Sequence, residues 1–580
     1  MIRVGKKINI YYLIKNLILI TVCFVMSLNR IKFGSLIHYQ IQSKSNSDDR
    51  LLILYSSLGT KKLLPPGDAL VKNMAFSKFL EFNRAIGWNF AFTISLLWIL
   101  VAIVAVIIFR KINSSVIFNI LVFAFFLYFP SAFDDAVGVR VYRNMIIVPT
   151  QFLFIFGLLG IFITVFFEKS FSQIKLLIWS IFLSFNLFFS YYLKEDGLWT
   201  LLLALGVIGV CIGYVLVRVV HKLIIKQFRG KFSLLNSLLM IIVMLFPLIT
   251  YKVGTDNYKA QNLKNFGVAE INTRTEGEAG RFLTYLYKVK VSDRSSVVWA
   301  PRSAIKKVIE ASPTLKNDKA FGDRLLSSEF GPKTSAGIAG DFMSWNLRGA
   351  WNDSKGAWND KEAERYFSKV NAELEKAFET GTLKKDSNRI QISSSMGGDT
   401  QSEIEKLYPQ TQAILRNNIM FDKYAYTAPA SMDSDAKFIK FSDNTFHFDI
   451  FNNGKKSPQE LKKVNNVINF YKIIAPVVVM FAIFGMLLVA VDLIFRIINF
   501  KDLILALVSL VIFGGGLGVS FAIAWFVNFL NVVGGENLSK GSYFTQFYGV
   551  EGTGLLYVGL LIAVAIFFKL VFAPLKPKHK

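Results

Sequence analysis

Residues 89–109 read NFAFTISLLWILVAIVAVIIF, 21 residues without a charge. A helix of this length is about 30 Å long, the thickness of a bilayer's hydrocarbon core. Runs of this kind recur along the chain and constrain its fold more than any other feature. They predict spans near 11–28, 89–109, 115–130, 146–167, 173–192, 198–220, 233–251, 470–495, 503–531 and 553–573. The fold class expected is an α-helical polytopic membrane protein of about ten transmembrane helices. A mainly helical polar domain would be inserted between helices 7 and 8. Two spans are atypical: 115–130 is short, and 503–531 contains FGGGLG at 513–518, which could break or kink it. The domains are then 1–251 (helices 1–7 with the loop 29–88), 252–469 (polar) and 470–580 (helices 8–10).

The formal net charge of +26 invites a nucleic-acid reading. The basic residues are scattered through short loops without an aromatic-basic stripe, so no nucleic-acid partner is expected. Residues 252–468 hold 33 Lys/Arg against 27 Asp/Glu, a mixed surface. Basic residues flank alternate spans: Arg3, Lys6, Lys7 and Lys15; Arg110 and Lys111; Lys169 and Lys175; Arg218 to Lys231; Arg496 and Lys501; and the tail PLKPKHK. With ten spans all of these fall on one side, which the positive-inside rule makes the cytoplasm. Both termini would be cytoplasmic and 252–469 extracytoplasmic. Cys23 and Cys211 both lie in spans, so the polar region has neither a disulfide framework nor a cysteine zinc site.

Outside the central region there are 13 acidic residues, of which ten fall on the outer face and two in cytoplasmic loops. Carboxylates do little to set topology, so this clustering needs another cause. Three groups stand out: Asp48-Asp49, Asp134-Asp135 and Glu195-Asp196. Asp48 and Asp49 precede RLLILYSSL, an amphipathic stretch suited to a short helix at the membrane surface. Paired carboxylates beside a bilayer can act as a general base or hold a metal, and they can equally cap a surface helix. Asp134 and Asp135 lie near Arg140, Tyr142 and Arg143, a set that could bind a lipid phosphate or form local salt bridges. Lys194, Glu195 and Asp196 occupy a tight turn between spans, closed by Gly197. Three acidic groups with cationic partners on one face suit a single site better than three separate accidents.

Weaker signals carry less. Asp492 and Arg496 have the spacing of an i,i+4 ion pair. His447 has no supporting motif, and FGGGLG lacks the strand and Lys-Ser/Thr of a phosphate loop. DKEAERYFSKVNAELEKAFET at 360–380 predicts a helix stopped by Gly381, FMSWNLRGAW at 342–351 a second, LLPPGD at 63–68 a turn and SSSMGGDT at 393–400 a loop.

The pattern resembles the C-type glycosyltransferase superfamily, multi-span enzymes that use polyprenyl-phosphate-linked sugars outside the membrane. DDRLLILYSSL takes the place of their first-loop acidic motif and FDDAVGVRVYRN that of a later one. A closer likeness, over residues 48 to about 380, is to a bacterial branch with DALVKN (Lys72), KEDGLW (Lys194) and late segments such as VVWAPRSAIKKVIEASPTL and DFMSWNLRGAWND. The branch usually follows its lysine with Gly-Pro, where this chain has Asn73-Met74.

The resemblance implies an inverting, hexosyltransferase-type enzyme in a bacterial plasma membrane. Its partners would be a polyprenyl-phosphate-linked sugar, a cell-envelope glycan or glycolipid acceptor, and the bilayer. Asp49, or Asp48, would be the base. Arg140 and Arg143 would hold the phosphate, with Lys72 and Lys194 as second choices and Asp134, Asp135, Tyr142, Glu195 and Asp196 around them. No cofactor is required, and a divalent metal is compatible with the motif. The rival classes are a flippase or transporter of lipid-linked sugars, which would line its spans with charge, and a non-enzymatic envelope assembly or sensor protein.

Overall fold

The computed structural model describes residues 10–41, 48–57, 70–168, 172–226, 233–327, 331–431, 435–450, 456–495, 499–532 and 537–572. The LLPPGD turn, Arg496, and the basic flanks Arg3, Lys6, Lys7, Lys169, Arg229 and Lys231 lie outside these residues.

The described chain is helical. The first part holds α1 (Ile10–Gly34), α2 (Asp48–Tyr55), α3 (Ala75–Ile86), α4 (Phe90–Phe109), α5 (Val116–Leu127), α6 (Asn144–Phe166), α7 (Gln173–Tyr191), α8 (Leu198–Ile224) and α9 (Leu234–Phe266). The polar region holds α10 (Gly277–Lys288), α11 (Arg302–Ala311), α12 (Pro313–Asn317), α13 (Lys319–Ser327), α14 (Phe342–Lys355), α15 (Asp360–Glu379), α16 (Gln401–Glu405), α17 (Tyr408–Met420) and α18 (Ala436–Phe446). Then follow α19 (Pro458–Ile494), α20 (Phe500–Val527), α21 (Tyr543–Gly549) and α22 (Thr553–Val571). Among the described residues nine helical segments are long and apolar enough to cross a membrane. The chain is a polytopic helical membrane protein.

The tenth expected span, 115–130, is the 12-residue α5 followed by a 3-10 turn at Pro130–Ala132. Twelve residues rise only about 18 Å. Ser115 caps the start of α5, accepting from the Phe118 N–H. At its end the Arg30 Nε donates to the Leu127 carbonyl at 3.1 Å and Nη1 to Ser95 Oγ at 3.2 Å. A buried cation at a helix C-terminus, followed by a proline, ends the helix early.

FGGGLG does not break α20, which is continuous through 513–518. Its glycines admit α22 instead. A Cβ on Gly516 would meet Leu556 N at 2.9 Å, and one on Gly559 would meet Phe513 N at 2.9 Å. Ser509 Oγ donates to the Gly559 carbonyl at 2.7 Å across the same contact. Small residues allow such close backbone approach between membrane helices. The Gly559→Leu protein should therefore lose about 1–3 kcal/mol by overpacking, read as a lower unfolding temperature in detergent; an unchanged temperature would count against this packing.

Neither end of the polar region is a break in secondary structure. α9 runs on to Phe266 and α19 begins at Pro458, so the chain enters and leaves the region along unbroken helices of 33 and 37 residues. Each carries one internal proline, Pro247 and Pro476. The region has its own core, in which Trp351 lies 5.4 Å from Trp358 and Phe282 5.0 Å from Phe367. α15 matches its predicted extent: Asn359 caps it and Gly381 follows in the left-handed conformation (φ 79°). α17 and the 424–427 segment seat this region on the membrane helices. Gln410 donates to the Ala524 carbonyl at 2.7 Å, and the Tyr426 hydroxyl to the Leu36 carbonyl at 3.1 Å.

A buried ion-pair network as candidate active site

The loop before α6 is built around Asp134. Its Oδ1 accepts from the Ala136 and Val137 N–H groups at 2.9 and 3.1 Å, and its carbonyl from Gly138 and Val139. Oδ2 accepts from the Ala425 N–H at 3.0 Å. Asp135 accepts from the Thr427 N–H and Oγ1, the latter at 2.7 Å. This acidic pair thus folds its own loop and fastens it to residues 425–427.

Burial pushes the Asp134 carboxyl up to about 7. A carboxyl raised in this way stabilises the fold fully below its unfolded value of about 3.9 and loses that contribution as pH rises through 7. The unfolding temperature should carry a component that declines between about pH 4 and pH 7. An identical slope in the Asp134→Asn protein would refute it.

The folded loop fixes Arg140. Gln40 N–H donates to the Val139 carbonyl at 2.9 Å and Val141 N–H to the Gln40 carbonyl at 2.8 Å, clamping residue 140 in a short parallel bridge. Its guanidinium then grips Asp49 from two sides: Nε lies 3.1 and 3.0 Å from the two oxygens and Nη2 2.6 Å from Oδ1. Asp49 is fully buried. Burial opposes the Arg140 charge, but the Asp49 carboxylate outweighs it and holds the guanidinium above its ordinary range.

α2 does not lie on the membrane surface as its pattern suggested. Residues Leu51–Tyr55 are all buried. Ser77 of α3 donates to the Leu52 carbonyl at 2.7 Å, and Val71 N–H donates to the Tyr55 hydroxyl at 3.0 Å. An 8-residue helix with both faces covered is a wedge that aims its first turn at the loops around it. That turn holds Asp48 and Asp49.

Asp48 sits differently from its neighbour. Its side chain is 29% exposed and pairs with Lys72 Nζ at 2.9 Å. Its Oδ2 also accepts from the Tyr142 hydroxyl at 3.2 Å. Burial would raise its carboxyl, but Lys72, Arg143 and Arg274 together hold it below the ordinary carboxylate range. The network continues without a break. Arg143 Nε donates to the Tyr142 hydroxyl at 2.9 Å, and Arg143 Nη1 meets Glu195 at 2.8–2.9 Å. Glu195 also accepts from the Asn73 N–H and faces Arg274 at 3.3 Å. Arg274 pairs with Asp341 at 2.8 Å. Burial acts against the Glu195 charge, but Arg143, Arg274 and Lys72 hold its carboxyl well below the ordinary range.

The structure therefore joins Asp48, Asp49, Lys72, Arg140, Tyr142, Arg143 and Glu195 in one cluster, with Asp134 and Asp135 supporting it through backbone. Lys194 turns aside from this chain. It pairs with Glu551 in a buried contact and with Asp196 at 3.6 Å, and lies 5.5 Å from the Tyr548 ring. Arg274, Asp341 and Glu551 were not singled out from sequence. Glu551 could have been, as the one carboxylate at the mouth of the last apolar run; Arg274 and Asp341 sit in ordinary polar loops with no such signal.

Asp48, Asp49, Glu195 and Asp341 each face a cation, drawn from Lys72, Arg140, Arg143 and Arg274. A lysine ammonium on Asp48 Oδ2 and an arginine fork across both Asp49 oxygens already neutralise these carboxylates, so this donor set does not fit a divalent ion. Among the described residues no group of three or more His, Cys, Asp or Glu could hold a metal. Arg140 Nη1, on the side away from Asp49, is engaged by the Tyr543 hydroxyl at 3.1 Å, and Tyr543 is 37% exposed. Comparison with family models, with curated proteins and with solved structures finds no match to the chain.

Proposed function

We propose that the chain is a membrane glycosyltransferase that moves a sugar from a polyprenyl-phosphate donor to an envelope glycan or glycolipid. The observation that carries this reading is the split between the two adjacent aspartates: one is sealed against Arg140, the other is partly accessible and paired with Lys72. In this reading Asp48 is the base, in place of the Asp49 favoured from sequence. Asp49 is a positioning residue acting through Arg140.

The acceptor hydroxyl gives its proton to Asp48. Its oxygen forms a bond to the anomeric carbon with inversion, the carbon–oxygen bond to the donor phosphate breaks, and the electron pair leaves on the phosphate. Arg140 receives that phosphate, whose oxygen displaces the Tyr543 hydroxyl from Nη1. Lys72 and Arg143 supply fixed positive potential behind it. Positioning and preorganised charge provide most of the rate. With α5 and residues 128–132 completing a tenth crossing, the site would face outward, the polar region would be extracytoplasmic and both termini cytoplasmic, the orientation the basic flanks favour.

The test is a transfer assay on the purified protein in liposomes, over a panel of polyprenyl-phosphate-linked hexoses and envelope glycan acceptors. Transfer from one such donor is the expected result. No transfer from any donor, with the protein folded, would overturn the reading.

A further inference from the structure

The polar region's excess of six positive charges, 33 Lys/Arg less 27 Asp/Glu over residues 252–468, is not spread evenly. Two extended segments meet beyond the ends of α10 and α15. Lys290 N–H donates to the Lys384 carbonyl at 2.8 Å, Asp386 N–H to the Lys288 carbonyl at 2.9 Å, and Val289 and Lys385 form an antiparallel bridge between them. α11 packs alongside, its Lys307 Nζ donating to the Lys290 carbonyl at 3.0 Å. These pieces enclose an open cleft of about 650 Å³ lined by Lys290, Lys307, Lys384, Ser292, Thr382 and one carboxylate, Glu310. Among the described residues, none of the three lysine ammonium groups lies within 4.0 Å of a carboxylate oxygen. The volume is that of a small-ligand site.

The cleft is remote from the ion-pair network but tied to it. α10 and α15 run side by side in the same direction, with Phe282 against Phe367 and Tyr285 against Phe378. Both begin near Arg274 and Asp360, whose carboxylate accepts from Thr273 Oγ1 at 2.7 Å, and both end at the cleft. The 12 residues of α10 span about 18 Å. A ligand using both places must be a chain.

We propose that this cleft binds an anionic glycan, the lysines meeting its charged groups and the Ser292 and Thr382 hydroxyls its sugar hydroxyls. Three ammonium groups against one carboxylate select negative charge; the flanking hydroxyls select a polyhydroxylated chain over a bare polyanion. This names the acceptor class, and only its role as acceptor rests on the transferase reading.

The experiment uses the full chain in nanodiscs and measures binding of size-defined dextran sulfate, neutral dextran and poly-glutamate. The expected result is binding of dextran sulfate that weakens as salt rises. The combined K290Q, K307Q and K384Q substitutions should reduce affinity at least tenfold, arginine at the same three positions should preserve it, and glutamine at the distant exposed Lys361, Lys369 and Lys437 should leave it unchanged. Equal binding by the cleft variant, an equal loss in the distant variant, or equal affinity for poly-glutamate would each overturn the proposal. The Asp48→Asn protein should bind dextran sulfate like the parent, so a failed transfer assay and a failed cleft are read separately.

Discussion

Liposomes carrying the Asp48→Asn protein should transfer sugar about 10²- to 10⁴-fold more slowly than the parent, the contribution of a positioned proton acceptor. Asn keeps the shape and can still accept from Tyr142, but it cannot take a proton and leaves Lys72 without its carboxylate. The loss should fall on kcat. Asp49→Asn should act differently: it loosens the fork that holds Arg140, so donor KM should rise more than kcat falls. The parent's pH–rate profile adds a second readout. Because three cations hold Asp48 below its ordinary range, activity should persist as pH falls through about 4 and fail only below it. Full activity in the Asp48→Asn protein would remove this residue from the mechanism.

The second large effect concerns the fold around the site. Glu195→Ala should destabilise the protein by about 3–5 kcal/mol, because it leaves the buried Arg143 guanidinium without its carboxylate and Arg274 with Asp341 alone. Glu195 is the carboxylate between Arg143 and Arg274 and also accepts from the Asn73 N–H, so three segments lose their common anchor at once. Glu195→Gln, which keeps one acceptor oxygen in place, should cost less. Removing Glu81, paired with Lys78 at an exposed position, should change stability by about 0.5 kcal/mol or less. Since Glu195 is held well below the ordinary carboxylate range, its contribution is present above that range and lost as pH falls from it towards the lowered value. Unfolding in detergent at pH 7 measures these differences. A cost for Glu195→Ala no larger than for Glu81→Ala would show that the network does not hold the site together.

What could be read from residues alone were features whose cause is local. The apolar runs give the membrane helices, and Asn359 and Gly381 delimit α15 because caps act on their own neighbours. The grouping of Asp48-Asp49 with Arg143 and Glu195 came from counting which loops share a face. The misses have long-range causes. α5 ends at Leu127, where Pro130 follows and Arg30, 97 residues earlier, takes the last carbonyl. α2 is buried because α3 and the Val71 segment close over its apolar side, which looked lipid-facing in isolation. Asp134 and Asp135 resemble Asp48 and Asp49 in sequence, yet peptide groups of residues 425–427 engage one pair and side-chain cations the other. Two adjacent letters cannot carry that distinction.

The unbroken helices α9 and α19 determine where the molecule can flex. At about 50 and 55 Å they outreach the hydrocarbon core by some 20 Å, so the polar region stands on two helical stilts in addition to its seat on the membrane helices at Gln410 and Tyr426. The soft points of these stilts are Pro247 and Pro476, each of which removes a backbone hydrogen bond within the apolar length. The packing of α9 and α19 against their neighbours, which sets helix tilt, thereby also sets the polar region's position over Asp48.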